Sequence, residues 1–194
     1  MLLVLSVLMS PQDGFIPAHG GYRKLRSYQK AQIVFDATVF FCRRFLDKRD
    51  RTVDQMVQAA RSGKQNIVEA SQASGTSKEM EIKLTNVARA SLAELEEDYQ
   101  DFLRTRRLLE WPPEHAYSRR LRALNRTPDA TYKTFQKGVE NPDPEIAANV
   151  ILGLIRATNY LLDRQLATLE QAFLKEGGLR ERMTRARLRI RNKL

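Results

Sequence analysis

Apolar residues recur at three- and four-residue steps along most of this chain, and no run alternates with period two as a strand would. Tyr28, Ala31, Phe35, Val39, Cys42 and Leu46 make the first stripe, which Phe40, Phe41 and Phe45 widen. The spacing predicts a helix over residues 27–46. A helix apolar over so much of its surface buries more than one face, either against another subunit or at the centre of a monomer. Thr52 with Gln55, and Thr76 with Glu79, have capping-box spacing and predict two further helix starts. The second helix is expected to run to Gln72 with Val53, Met56, Ala60, Gly63, Ile67 and Ala70 inward. Gly63 costs about 1 kcal/mol relative to Ala in a helix, so it implies a close helix crossing. The third is expected from Ser77 to about Leu108, with Leu84, Ala88, Leu92, Leu95, Tyr99 and Phe102 as its stripe, stopped by Trp111-Pro112-Pro113.

After that stop the pattern weakens. Residues 116–125 could form a short helix with Tyr117, Leu121 and Leu124 on one side. Asp143 and Pro144 then read as N-cap and first residue of the last helix, and Gly177-Gly178 as its end. Its stripe runs from Ile146 through Val150, Ile151, Leu154, Ile155 and Leu162 to Phe173. The expected fold is all-α: an up-down-up-down four-helix bundle with a long connection between the third and fourth helices and a basic C-terminal tail. Residues 1–24 form an extension, 25–176 the bundle with a basic insertion at about 109–142, and 177–194 the tail.

Charge changes the picture most. The formal net charge of +10 is concentrated in two segments. Residues 104–137 carry nine Lys/Arg against three Asp/Glu, and residues 179–194 seven against one. A near-neutral body with two basic appendages is the footprint of a protein that holds a polyanion. The candidate nucleic-acid-binding residues are Arg104, Arg106, Arg107, Arg119, Arg120, Arg122 and Arg126, accompanied by Trp111, Tyr117 and Tyr132, and then Arg180, Arg182, Arg185, Arg187, Arg189, Arg191 and Lys193. Arginine suits bidentate phosphate contact, and aromatic residues beside it can stack exposed bases. Trp111, just after a helix and before two prolines, reads first as part of a small core.

Other chemistry finds little support. His19 and His115 are the two histidines, both outside the main helices and neither preceded by Glu at the third position, which excludes a ferritin-like di-iron site. Zinc ligation fails on the same counting, since Cys42 stands alone. Cys42 reads as a buried small hydrophobe. No phosphate-cradling Gly-rich loop or nucleophile elbow is present. No catalytic residue, cofactor or metal is expected, and the chain reads as no enzyme. The apolar residues 1–9 span only about half a bilayer core and lack a basic start. They read as a nonessential or over-extended start before an export signal or a docking helix. The expected location is cytoplasmic, with no membrane.

Residues 58–70 (QAARSGKQNIVEA) resemble the S-x-x-x-N-I-x-E-G signature of the small bacterial four-helix-bundle proteins of ribosomal RNA intervening sequences, and residues 88–95 (ARASLAEL) resemble the A-x-x-S-x-x-E-L segment of that family. The likeness covers about residues 25–108 and the last helix; Ala70 replaces the usual Gly. The long connection and basic tail look like its suffix-domain variant. The accessory variability protein of diversity-generating retroelements is similar in fold. The resemblance implies a homo-oligomer, commonly a homopentamer, without catalysis. For the retroelement relative it implies nucleic acid and a reverse transcriptase as partners. Within these motifs Asn66, Glu69, Ser91 and Glu94 could meet as a polar network that sets helix register. The function expected is binding of nucleic acid, RNA before duplex DNA, through the basic appendages. The alternative is an interaction scaffold whose basic segments dock an acidic protein partner.

Overall fold

The computed structural model describes Ile16 and residues 18–192, and every element among them is helical. The expectations for residues 1–9 and for Lys193 lie outside the described residues. After a 3₁₀ turn at Tyr22–Lys24 come seven α-helices: α1 Arg26–Phe45, α2 Arg51–Ala73, α3 Lys78–Thr105, α4 Ala116–Arg126, α5 Tyr132–Val139, α6 Pro144–Glu176 and α7 Leu179–Arg191. The four long helices are those that the apolar stripes mark. The three further helices lie in the connection and the tail, where the sequence led us to expect one short helix.

The long helices pack in the cyclic order α1, α2, α3, α6. Neighbours meet in reversed register. Cys42 Sγ lies 4.0 Å from Met56 Sδ, and Lys64 sits 4.2 Å above the Phe35 ring. Arg89 and Glu96 of α3 meet Asp163 and Arg156 of α6. Ser27, at the start of α1, donates to Gln165, late in α6. The core is continuous, with Phe41 edge-on to both Tyr99 and Phe102. Gly63 is where α2 and α3 come closest: a Cβ there would lie 2.7 Å from the Leu92 side chain. Cys42 is buried, and burial pushes its thiol up to about 12.

The helix ends carry corrections. Asp50, not Thr52, caps α2, accepting from the Thr52 amide. Ser77, not Thr76, caps α3, accepting from Met80. In each case two capping residues lie within two positions of each other, and the caps used, Asp50 and Ser77, have extended backbone. Helix α3 ends at Thr105, before the expected Leu108 and before the prolines. Arg107 takes a left-handed backbone with φ 58°, and the Leu108 amide bonds back to Leu103, a Schellman-type close. Asp143 caps α6 with Pro144 following, and Gly177 ends it at φ 72°, as expected.

The broad apolar surface of α1 is covered in part by the chain itself. Helix α5 packs on α1 and α6, with Phe135 and Val139 buried. Helix α4 packs on α6 through Leu121, whose side chain occupies the space a Cβ at Gly153 would take. No helix among the described residues is long and apolar enough to cross a membrane.

Candidate nucleic-acid interface

The start of the α3–α6 connection is pinned to the first turns of α6. Asn149, buried in an otherwise apolar stripe, accepts from the Trp111 amide at 2.7 Å and donates to the Leu109 carbonyl at 2.8 Å. Glu145 accepts from the Leu109 amide and from Trp111 Nε1. Trp111 is 7% exposed and stacks on His115, so it is a core residue as its position suggested, but it joins the continuous core of the bundle rather than a separate small one. Tyr117 leans on the same ring but is more than half exposed. Tyr132 is partly buried and donates to Glu140.

From this anchor the chain turns back along the flank of α6. Asn125 on α4 donates to the Gly153 carbonyl and accepts from Lys30 Nζ at 2.8 Å. Helices α1, α4 and α6 thereby enclose a groove of about 550 Å³. Among the described residues five cations line it, Arg26 and Lys30 from α1, Arg122 and Arg126 from α4, and Arg156 from α6, and no carboxylate does. Arg156 is held at 2.6 Å by both Glu96 and Glu110. The other four form no salt bridge among the described residues. Arg122 donates to the Pro113 carbonyl. Lys30 is 5% exposed, and its ammonium lies 4.5 Å from the centre of the Phe135 ring. Burial, aided by the charge of Arg26, lowers its pKa to about 8. Arg26, Arg122 and Arg126 are exposed, so of the four only Lys30 bears the cost of a buried charge.

The expected arginines therefore do not act as two blocks. Arg104, Arg106 and Arg107 stay at the far end of α3. There Arg104 pairs with Asp101 and Arg106 covers the Phe102 ring, and the Asp50 carboxyl is held low by its hydrogen bonds from Thr52 with a smaller contribution from the charge of Arg106. That end also carries Arg43 and Arg44 of α1, Lys48 and Arg49 of the turn and Arg51 of α2, against Asp47 and Asp50, a net positive charge that the near-neutral sum over residues 1–103 hides. Arg119 and Arg120 lie exposed on α4. Sequence reading missed Arg26, Lys30 and Arg156 in the groove. No local signal marks them, because α4 brings them together from distant segments.

The tail is a helix rather than an extended segment. Arg182 donates to the Gly75 carbonyl in the α2–α3 turn, and Arg185 to the Glu176 carbonyl. Arg180, Arg187, Arg189 and Arg191 are exposed. Between groove and tail, Arg164, Thr168, Gln171 and Lys175 share the face of α6 that carries Ala157 and Tyr160. All four are exposed and none is acidic.

The expected four-residue polar network forms in part. Ser62 Oγ and Ser91 Oγ are 2.9 Å apart, and Asn66 donates to the Ser62 carbonyl and hydroxyl. Glu69 and Glu94 are exposed and outside it. Ser62, the first residue of the quoted signature, is the member that joins α2 to α3. Among the described residues, no group of three or more His, Cys, Asp or Glu side chains is placed to hold a metal. No protein-family model, curated protein or solved structure matches this chain.

Proposed function

We propose that the protein is a non-enzymatic, homo-oligomeric helix bundle of up-down-up-down topology that binds single-stranded nucleic acid, RNA before duplex DNA. The observation that carries the reading is the acid-free cationic groove between α1, α4 and α6. Helix α4 sets Arg122 and Arg126 opposite Arg26 and Lys30. Arg164 and Lys175 then lead along α6 to the arginines of α7. The face of α6 from Tyr160 to Lys175 is about 22 Å long at 1.5 Å per residue, enough for a strand's backbone to follow. A positively charged track with exposed aromatic residues, here Tyr117 and Tyr160, suits unpaired strands better than a duplex. Several copies would raise avidity without base readout.

The test is fluorescence polarisation with a labelled single-stranded RNA and its duplex DNA counterpart. The double variant Arg122→Ala/Arg126→Ala should weaken RNA binding by roughly tenfold with its circular dichroism unchanged. Equal binding by variant and natural chain would remove the groove from the interface. A second reading, docking to an acidic protein, draws on α7. There Leu179, Met183, Ala186 and Ile190 form one apolar row between two rows of arginine, and Met183 and Ile190 are 40% and 55% exposed. Absence of any RNA or DNA binding would favour it.

A further inference from the structure

Lys30 and its neighbours differ from the α7 arginines in one respect: they line a concave groove. The groove's volume of about 550 Å³ lies within the roughly 300–1,000 Å³ typical of small-molecule sites. One wall is cationic, made by Arg26, Lys30 and Arg126. The same lining holds an apolar wall, made by Leu121 of α4 and by Gly153, Ala157 and Leu161 at four-residue steps on α6. Tyr160 also lines the groove with 61% of its surface exposed, and among the described residues no ring packs on it. Ser118 and Asn125 add hydrogen-bonding groups between the two walls. A bare phosphate would answer the cations and leave the apolar wall uncovered. An uncharged aromatic ligand would cover the wall and leave the cations unanswered. A ligand with a doubly charged end and a planar ring answers both.

We propose that this groove is a pocket for one unstacked nucleotide, its phosphate between Arg26, Lys30 and Arg126 and its base against Tyr160 and the Gly153–Ala157 wall. The pocket rests on the nucleic-acid reading above and deepens it: the strand is anchored at one position and merely tracked elsewhere. Gly153 has a part in this. It lets Leu121 approach α6 closely, so that α4 forms a wall of the groove rather than lying over it.

Isothermal titration of the full-length chain with each of the four ribonucleoside 5′-monophosphates, and with ribose 5-phosphate, tests the pocket without a polymer. At least one nucleotide should bind once per chain and more tightly than ribose 5-phosphate by roughly fivefold or more, the contribution of one stacked base. Tyr160→Ala, at an exposed position, should leave circular dichroism unchanged and bring that nucleotide down to the level of ribose 5-phosphate. Arg26→Ala/Arg126→Ala should weaken both ligands. If RNA binds but no nucleotide exceeds ribose 5-phosphate, the pocket is overturned and the proposed function stands. If a nucleotide binds as described but RNA does not, the pocket stands as a mononucleotide site and the polymer reading falls. If neither binds, both fall.

Discussion

Lys30 is the residue whose energetics are most at odds with its position. Its ammonium is buried, is repelled by Arg26 on its own helix, shares the groove lining with Arg122, Arg126 and Arg156, and has a neutral amide as its hydrogen-bond partner. Its pKa falls from 10.5 to about 8. Below pH 8 the folded and unfolded chains both carry this proton, and the cost of burying the charge is present in full. Between about 8 and 10.5 only the unfolded chain keeps it, so stability rises with pH across that window. Lys30→Met should therefore melt higher than the natural chain at pH 7, with the difference shrinking as pH approaches 10. Differential scanning calorimetry at several pH values checks this. A variant that melts lower at pH 7 would mean that the Asn125 and Phe135 contacts outweigh the desolvation. Nothing around residue 30 in the sequence signalled the buried charge. Ala31 and Val34 mark an ordinary amphipathic helix, and the cations opposite Lys30 come from positions near 120 and 156. Gly63, Trp111, Asp143 and Gly177 were legible because their reasons are local: a close crossing, a helix end, a cap and a stop.

At the scale of elements, the connection between α3 and α6 decides whether the groove exists. Helix α4 touches the body through Leu121 at Gly153 and through Asn125, after Asn149 has fixed residues 109–111. Leu121→Ala removes its one buried side chain, a change that costs about 2–5 kcal/mol where the site cannot collapse. We expect α4 to undock while the four long helices remain. Limited proteolysis should then cut between residues 107 and 130 much faster than in the natural chain, with the main thermal transition moved by only a few degrees. Unchanged cutting would mean that α5 and Asn149 hold the connection without α4. The long helices were readable because each keeps a stripe over five turns or more. Helix α5 was not, because eight residues give barely two turns of periodicity, and its cap is Thr131 with Thr134 rather than a Glu-containing box. The α2 and α3 caps were misplaced by one or two residues, since Asp50/Thr52 and Thr76/Ser77 offer equally good chemistry in sequence.

For the whole molecule, charge that looks like two blocks along the chain becomes a different map in space. The first block divides between the far end of α3 and the flank of α6, and α7 stands at the end where α6 finishes. The long separation between the groove and α7 makes them additive contributors to binding a strand. The family resemblance remains an expectation about oligomers, and the surface that would join copies was not readable from the stripes, because α5 covers part of the α1 face that suggested it.

The central claim is that this surface binds the phosphates of a single strand, and its most direct test is the salt dependence of binding. Each neutralised phosphate of a single strand contributes about −0.7 to the slope of log K against log salt. With the four unpaired groove cations, Arg164, Lys175 and part of α7 engaged, the chain should give a slope of roughly −6, and a chain lacking residues 179–194 a slope shallower by about 2. A slope near zero, or one that the truncation leaves unchanged, would contradict the account.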